Sequence, residues 1–473
     1  MENQDRIGPA RRCRNHVAVH ALFRSLSPRL CGGRGQGEGG FFCGRRVLFP
    51  LTPSPLPRSG GEGAIVFARA AKISTACSAM ILILGLVTVA PAADYHGPWN
   101  IEDLKKAPKV EWVDAQGPVR QLYYSGEPYR GKPTRVYAWY AEPEKISGKR
   151  PAMVLVHGGG GTAFKEWAEL WAKRGYVALA MDLAGCGPER KKLADGGPGQ
   201  GDDTKFPKEK TAPIAMWTYH AVASVIRGVS LLQSLPNVDA DKIGITGISW
   251  GGYLTCIVAG LDDRLKVAAP VYGCGFIYHN SVWIPTFEKL PSEWRKEWVK
   301  NYDPSKYVGQ AKMPMLFVNG TNDFAYPLDS YQKTYRLVKD RTLCITVNMP
   351  HGHPQGWAPK EIGIFVDQHL TGGKPLLKLE RSPEVRTENG KQVVTLPIPQ
   401  SAGKVTARLH WTADLQIPWP KRKWQTKDLD QLPGDLTDFH RTEMPTERPL
   451  VYFLTITDGR NAVISTEHEI LEK

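Results

Sequence analysis

The sequence has few cysteines and lacks the motifs that bind metals or nucleotides. Its 473 residues include eight cysteines, and none of them forms a CxxC pair or stands beside histidines at a zinc-ligand spacing. The glycine-rich segment 195–203 lacks the Gly-Lys-Ser/Thr ending of a phosphate-binding loop. We therefore expect neither a bound metal nor a nucleotide or other cofactor.

A long apolar run that would span a membrane is also absent. The apolar segment 80–89 is about half the length that a bilayer-spanning helix needs. It follows Arg69 and Lys72 and precedes Ala-Pro-Ala at 90–92, which is the pattern of a secretory signal with its cleavage site. We predict a signal peptide at 66–92, export to the periplasm or medium, and no stable membrane association after cleavage. An uncleaved membrane anchor is the alternative.

The excess of positive over negative charge is concentrated in the N-terminal leader. Residues 1–92 hold 12 lysines and arginines against 4 acidic residues, and so account for more than half of the net charge of +14. The charge is therefore poor evidence for a nucleic-acid partner, and we expect none. Residues 1–65 show no helical or strand period and are predicted to be a disordered leader or an over-extended gene start.

The most informative motif is Gly-Ile-Ser-Trp-Gly at 247–251. The β-branched run 242–246 before it predicts a buried strand, and the apolar run 252–259 after it predicts a buried helix. A G-x-S-x-G between strand and helix is a nucleophile elbow, a strained turn that exposes the serine hydroxyl. Ser249 is thus the candidate nucleophile, and an incidental serine in a glycine-rich turn is the alternative.

A second glycine-rich turn lies upstream, where a predicted strand at 152–156 ends in His-Gly-Gly-Gly-Gly at 157–161. Bare backbone N–H groups in such a turn can stabilise the oxyanion of an acyl-transfer reaction, together with the N–H of the residue after the nucleophile. The candidate oxyanion donors are Gly158, Gly159 and Trp250. His157 is predicted to be a structural residue of the loop.

Two later predicted strands, at 314–318 and 343–347, each run into a polar loop. Asp323 follows the first, where a carboxylate can orient a histidine, and Asp329 is the weaker alternative. His351 and His353 follow the second, and a histidine is the base that removes the serine proton near neutral pH. His351 is preferred because a His-Gly pair just past the strand is the usual arrangement, and His353 is the alternative base.

These segments resemble the α/β-hydrolases, and within them the branch of acetyl xylan esterases, dienelactone hydrolases and the catalytic domains of prolyl oligopeptidases. The resemblance covers about residues 95–372 and is carried by the segments 157–160, 247–252, 262–269, 320–323 and 351–353. It implies an α/β fold, a mostly parallel sheet with helices on both faces. It also implies that Ser249 is the nucleophile, Asp323 the acid and His351 the base.

The resulting hypothesis is an exported serine hydrolase that cleaves carboxylic esters through an acyl-serine intermediate. The resemblance implies short acyl groups on a small-molecule or carbohydrate ester as the substrate. One alternative is a serine peptidase of the prolyl oligopeptidase type, although residues 94–150 are too few for the propeller that those enzymes carry. The other is a non-catalytic binding protein on a hydrolase scaffold.

The chain changes character after residue 372, where Thr-Gly-Gly-Lys-Pro at 371–375 reads as a linker. We predict a hydrolase domain at 93–372 and a small all-β sandwich domain at 376–473, because short alternating runs separated by turns fill the second segment. Three tryptophans of this segment either form a carbohydrate platform or pack the core: Trp411, Trp419 and Trp424.

Two smaller expectations concern the hydrolase part. The aromatic-rich insertion 274–308 leaves the strand–helix alternation and is predicted to lie over the active site, either lining a substrate pocket or fixing itself to the domain. Cys186 and Cys274 follow predicted strands in glycine-flanked loops and could form a disulfide, which the sequence does not decide.

Overall fold

The centre of the fold is a nine-stranded sheet that carries the predicted nucleophile strand near its middle. The computed structural model describes residues 95–114, 116–145, 147–434 and 437–472. The leader predicted at 1–65 and the signal peptide predicted at 66–92 lie outside the described residues. No described helix is both long enough and apolar enough to cross a membrane.

The strands of this first sheet have the following bounds: β1 Val110–Trp112, β2 Val119–Ser125, β3 Arg135–Ala141, β4 Arg150–Val156, β5 Val177–Met181, β6 Val238–Ile248, β7 Val267–Val271, β8 Met315–Gly320 and β9 Arg341–Thr346. Their spatial order is β1-β2-β3-β5-β4-β6-β7-β8-β9. The first three strands join antiparallel, and all neighbours from β5 to β9 are parallel.

The α-helices have these bounds: α1 Ile101–Leu104, α2 Lys165–Lys173, α3 Asp202–Lys205, α4 Trp217–Ser234, α5 Trp250–Leu261, α6 Ile284–Glu288, α7 Ser292–Tyr302, α8 Leu328–Tyr335, α9 His353–Trp357 and α10 Lys360–Leu370. Helices α2, α4, α5 and α10 pack on the sheet. Strands β5 and β7 are buried along their whole length, which explains why they read as continuous apolar runs without alternation. The predicted α/β class is confirmed.

Beyond α10 all strands are antiparallel, as predicted for an all-β segment. One sheet has the order β10-β11-β15-β14, and the other has β13-β12-β16-β17 with β18 beside β16. The bounds are β10 Glu384–Glu388, β11 Lys391–Pro399, β12 Thr406–Thr412, β13 Gln425–Asp428, β14 Asp430–Leu432, β15 Thr437–Glu443, β16 Leu450–Thr457, β17 Val463–Ser465 and β18 Glu469–Leu471. We call residues 376–472 the C-terminal β region.

The C-terminal β region packs against the last strand of the first sheet. The Ile345 N–H in β9 donates to Ser465 Oγ in β17 at 3.0 Å. Arg336 and Arg341 both pair with Glu467, at 2.7 and 2.8 Å. An open sheet edge exposes unpaired backbone groups, so this packing covers the β9 edge.

Two smaller expectations are settled by the described residues. Cys186 and Cys274 are both free thiols, so the suggested disulfide is not formed. Cys274 is fully buried, and burial raises the pKa of its thiol. Trp419 is buried against His468, and Trp424 packs on Phe453, which is the packing role rather than an exposed platform.

Candidate active site

Ser249 lies at the predicted turn, directly after β6 and directly before α5. Its backbone has φ 57° and ψ −120°, a conformation that costs a non-glycine residue about 1–3 kcal/mol. Its N–H donates to the Val271 carbonyl at 2.9 Å, which holds the turn on the neighbouring strand β7. A strained serine between a strand and a helix is the geometry of a nucleophile elbow.

The glycines around Ser249 are required by close backbone contacts. A Cβ atom on Gly251 would lie 1.9 Å from the Val156 carbonyl oxygen, and one on Gly247 would lie 2.2 Å from the Gly251 carbonyl oxygen. Neither clash is with a flexible side chain. The two glycines therefore allow α5 to start against the end of β4, and they bring the serine turn beside the His-Gly-Gly loop.

Two of the residues proposed from the sequence, the buried Asp323 and the half-buried His351, lie side by side in the structure. His351 Nδ1 and Asp323 Oδ2 are 2.6 Å apart. The other oxygen of Asp323 accepts the N–H groups of Ala325 and Tyr326, at 2.9 and 2.8 Å. Three hydrogen bonds thus fix the carboxylate, so it can hold His351 in the tautomer that leaves Nε2 free to accept a proton.

Aromatic rings fix the plane of His351. Tyr272 stacks on it at 4.5 Å between ring centroids, and Phe324 lies tilted against it at 4.8 Å. Tyr272 is itself anchored through its hydroxyl, which donates to the Pro350 carbonyl at 2.8 Å. The sequence analysis missed both rings, although Phe324 directly follows Asp323 in the chain.

His353 occupies a different place from His351. Its Nε2 accepts the N–H of Gly158 at 3.0 Å, and its ring packs on Phe164 at 4.8 Å. Burial, together with the neighbouring His157, His351 and Arg190, lowers the pKa of His353 to about 4. His353 is therefore a neutral hydrogen-bond acceptor that holds the glycine loop, and it has no carboxylate partner in the described part of the chain.

This contact corrects one predicted oxyanion donor. The Gly158 N–H is already donated to His353, so it is not available to an oxyanion. Gly159 and Trp250 remain as candidates, and they are neighbours, since a Cβ on Gly159 would lie 3.2 Å from the Trp250 indole. Trp250 is the first residue of α5, where backbone N–H groups have no partner within the helix.

His157 has the contacts of the structural residue that the sequence predicted. Its Nδ1 lies 2.7 Å from the Gly158 carbonyl, and its Nε2 accepts the N–H of Leu183 at 2.8 Å. Burial lowers the pKa of His157. With both ring nitrogens engaged, His157 links the glycine loop to the end of β5.

The weaker acid candidate, Asp329, lies away from both histidines of the base loop. Its carboxylate accepts the Asn280 amide at 2.9 and 3.1 Å. This bond joins the start of α8 to the insertion 274–308. Asp323 is the aspartate that the structure brings to His351.

A tyrosine that was not predicted from the sequence, Tyr326, lies near both Ser249 and His351. The Tyr326 hydroxyl lies beside the Ser249 side chain without forming a hydrogen bond of standard geometry. Its ring is nearly parallel to His351 at 6.5 Å. Burial raises the pKa of Tyr326 well above its usual value, so it stays a neutral phenol. Its position three residues after Asp323 was the sequence signal available.

The insertion 274–308 contacts the serine turn through Trp283, whose ring lies 4.6 Å from Trp250 and 5.1 Å from Tyr326. Two other aromatic residues of the insertion, Trp294 and Trp298, are buried and donate their indole N–H groups to backbone carbonyls. Trp294 and Trp298 therefore fix the insertion to the domain, and Trp283 reaches the candidate site.

A separate groove of about 840 Å³ runs along the outer side of the insertion. Its lining combines Tyr95, Phe287 and Val299 with basic side chains of α7. None of the three predicted catalytic residues lines it. The groove is not part of the candidate active site.

A strained serine turn in a mostly parallel sheet, followed along the chain by an Asp–His pair, is the arrangement of the α/β-hydrolase class, and this chain has the α/β-hydrolase fold. Residues 100–311 match the acetyl xylan esterase family.

Curated relatives include the acetyl esterase Axe7A of Xylanibacter ruminicola, 24% identical over 216 residues that make up 41% of this chain and 46% of the relative. The uncharacterized peptidase YuxL of Bacillus subtilis is 24% identical over 266 residues, 50% of this chain and 37% of the relative. The chain thus spans less than half the length of either relative.

Among solved structures, the acetyl xylan esterase of a Paenibacillus species is 22% identical with a TM-score of 0.47, covering 57% of this chain and 92% of its own. The acylaminoacyl peptidase of Pyrococcus horikoshii is 21% identical with a TM-score of 0.43, covering 56% of this chain and 44% of its own.

Proposed function

We propose that this α/β-hydrolase cleaves carboxylic esters with short acyl groups, using Ser249 as the nucleophile. The observation that carries the proposal is the 2.6 Å contact between His351 Nδ1 and the buried Asp323 carboxylate. A histidine held in this way can act as a general base, and Ser249 stands on a strained turn between a strand and a helix, as a nucleophile does.

In the proposed reaction, Ser249 Oγ attacks the ester carbonyl carbon while His351 Nε2 takes the hydroxyl proton. The oxyanion that forms accepts the N–H groups of Gly159 and Trp250. The carbonyl then re-forms, the alcohol leaves with the proton from His351, and an acyl-serine remains. Water attacks this ester by the same route, with His351 again the base, and releases the acid. Asp323 keeps Nδ1 protonated and stabilises the imidazolium.

The surroundings of the serine support a small acyl group. Trp250 is almost fully buried and packs against Tyr253, Trp283 and Trp217, with centroid distances of 4.9, 4.6 and 5.7 Å. Lys205 Nζ lies 4.7 Å from the same indole ring. These bulky groups pack around the indole of the residue that follows the serine. The family match of residues 100–311 supports acetyl esters, and an acetylated carbohydrate is the substrate class that we propose.

The test is hydrolysis of a series of p-nitrophenyl esters, from acetate to octanoate, by the full chain and by its Ser249→Ala variant. We expect turnover to be greatest on acetate and to fall by several orders of magnitude in the variant. Ser382→Ala, at an exposed serine of the C-terminal β region, is the matched control and should keep wild-type turnover.

Three other outcomes have distinct meanings. Turnover that survives Ser249→Ala would reject Ser249 as the nucleophile. Cleavage of peptides but of no ester would favour a peptidase. Failure to hydrolyse either class, combined with no reaction of Ser249 with a fluorophosphonate probe, would favour a binding protein.

We also propose that the protein is exported and that its two parts are a hydrolase domain at 93–372 and a β domain at 376–473. The apolar run 80–89 and the Ala-Pro-Ala that follows support a cleaved signal at 66–92. N-terminal sequencing of the protein recovered outside the cytoplasm should find a start near residue 93. An intact N-terminus in that fraction would overturn the export proposal.

A further inference from the structure

The C-terminal β region contacts the loop that carries Asp323. Asn322, the residue before Asp323, donates its side-chain amide to the carbonyls of Pro420 and Arg422, at 3.1 and 2.8 Å. The side-chain oxygen Oδ1 of Asn322 accepts the Thr321 hydroxyl at 2.6 Å, and Thr321 Oγ1 accepts the N–H of Asn348 at 3.0 Å. One chain of hydrogen bonds therefore joins the C-terminal β region, the acid loop and the loop that carries His351.

The segment that receives Asn322 is itself held in place. The guanidinium of Arg422 donates to the carbonyls of Ile417 and Leu415, at 2.9 and 3.1 Å, and lies 3.8 Å from the Trp419 ring. Arg422 and Trp419 are both buried. The carbonyls of 420 and 422 are thus fixed acceptors rather than the ends of a loose loop.

The geometry of the acid loop makes this contact consequential. One carboxylate oxygen of Asp323 is bonded to backbone N–H groups of its own loop, and the other to His351. Any movement of the loop therefore moves the carboxylate relative to the imidazole. A misplacement of about 1 Å in a catalytic group can cost on the order of a hundredfold in rate.

We propose that Asn322 is a positioning residue through which the C-terminal β region holds the Asp323 carboxylate against His351. The proposal rests on the proposed function, since it assumes that this Asp–His pair acts on Ser249. It gives the C-terminal β region a part in catalysis without contact to the substrate.

The experiment compares Asn322→Ala with Gln332→Ala in the full chain. Gln332, in α8, also donates its side-chain amide to the C-terminal β region, to the His468 carbonyl at 2.7 Å. Unlike Asn322, Gln332 does not lie on the acid loop. Both variants lose contacts across the same interface. Positioning predicts that Asn322→Ala lowers kcat on p-nitrophenyl acetate ten- to a hundredfold with KM within twofold, whereas Gln332→Ala keeps kcat within twofold.

A second measurement follows the acid–base pair directly. The proton on His351 Nδ1 should give a low-field proton resonance in the wild type and in Gln332→Ala, and this resonance should shift or broaden in Asn322→Ala. Should Asn322→Ala fold poorly, Asn322→Ser is measured instead, with kcat counted per serine that reacts with a fluorophosphonate probe.

Wild-type kcat in the folded Asn322 variants, or an equal loss in Asn322→Ala and Gln332→Ala, would overturn the proposal. Ser249→Ala separates this failure from that of the proposed function. If Ser249→Ala is inactive and the Asn322 variants resemble the wild type, only the positioning role fails. If Ser249→Ala is active, both the proposed function and the positioning role of Asn322 fail.

Discussion

His351 in the α/β part is half-buried and His410 in the C-terminal β region is buried, and their partners differ in kind. His351 meets the carboxylate of Asp323. His410, in β12, has hydroxyl partners on both ring nitrogens, Thr426 Oγ1 and Thr455 Oγ1, each at 2.8 Å. Burial lowers the pKa of His410 to about 4. A carboxylate makes the charged imidazolium tolerable in a buried site, whereas hydroxyls leave the neutral ring as the stable form.

A histidine beside a carboxylate can exchange protons, whereas a histidine beside hydroxyl groups serves packing. The degree of burial alone would not distinguish the two kinds. His353 belongs with His410 in this respect, because its partner is a backbone N–H and its pKa is also lowered to about 4. The chemistry of the partner, rather than the position in the active-site loop, therefore identifies the candidate base.

The largest effect is expected from removing the base itself. His351→Ala should lower kcat on p-nitrophenyl acetate by about 10⁴–10⁶, because the serine hydroxyl then has no acceptor for its proton. His410→Ala is the control from the other region and should leave kcat within twofold in the folded protein. A similar kcat in His351→Ala and in the wild type would remove His351 from the mechanism.

The next largest effect is expected from neutralising the carboxylate. Asp323→Asn should lower kcat by about 10⁴, because the amide no longer stabilises the imidazolium and can reverse the histidine tautomer. The side chain keeps its size, so far-ultraviolet circular dichroism should be unchanged. Asp329→Asn is the matched control, since Asp329 binds Asn280 instead of a histidine of the base loop. Comparable losses in both variants would reject the choice of Asp323.

Asp323 and His351 could be picked out as candidates from the sequence because each follows its own strand, and parallel strands bring their carboxyl ends to one edge. Ser249 could be picked out as the candidate nucleophile because two glycines flank it, and a Cβ on either glycine would clash with a backbone carbonyl oxygen. The sequence favoured His351 but left His353 open as the base, since the two histidines stand two residues apart. Their partners lie on other loops, and the fold shows that His351 meets Asp323 and that His353 meets Gly158.

The parts that escaped sequence reasoning depend on long-range contacts or on weak patterns. Asn322 reads as a loop residue until its acceptors, about a hundred residues later, are in view. Strand β13 is exposed throughout, so it has no alternation of buried and exposed residues to reveal it. The order of the strands in the C-terminal β region was likewise beyond the reach of local patterns.

A third prediction concerns pH and the stability of the C-terminal β region. The pKa of His410 is about 4 in the folded protein and about 6.5 in an unfolded chain. The unfolded chain therefore binds the proton more readily, and the stabilisation is complete above pH 6.5 and lost as pH falls toward 4. The loss amounts to at most about 3 kcal/mol.

Urea unfolding of the wild type and of His410→Leu at pH 7 and pH 4.5 measures this contribution. The free energy of unfolding should fall less between these pH values in His410→Leu than in the wild type. The same pH dependence in both proteins would show that His410 does not contribute. Because the catalytic pair is unchanged in this variant, kcat at pH 7 should equal the wild-type value.

The smallest effect is expected at His353, and it tests whether partner chemistry identifies the base. His353→Ala removes the acceptor of the Gly158 N–H and loosens the loop that carries Gly159, so kcat should fall about tenfold, equivalent to about 1.4 kcal/mol. His353→Gln offers an amide oxygen to the same N–H and should recover most of the activity. A histidine acting as the base would not be replaced by glutamine. If His353→Ala and His353→Gln both lose as much as His351→Ala is expected to lose, the base is His353, and a carboxylate partner does not mark the catalytic histidine in this fold.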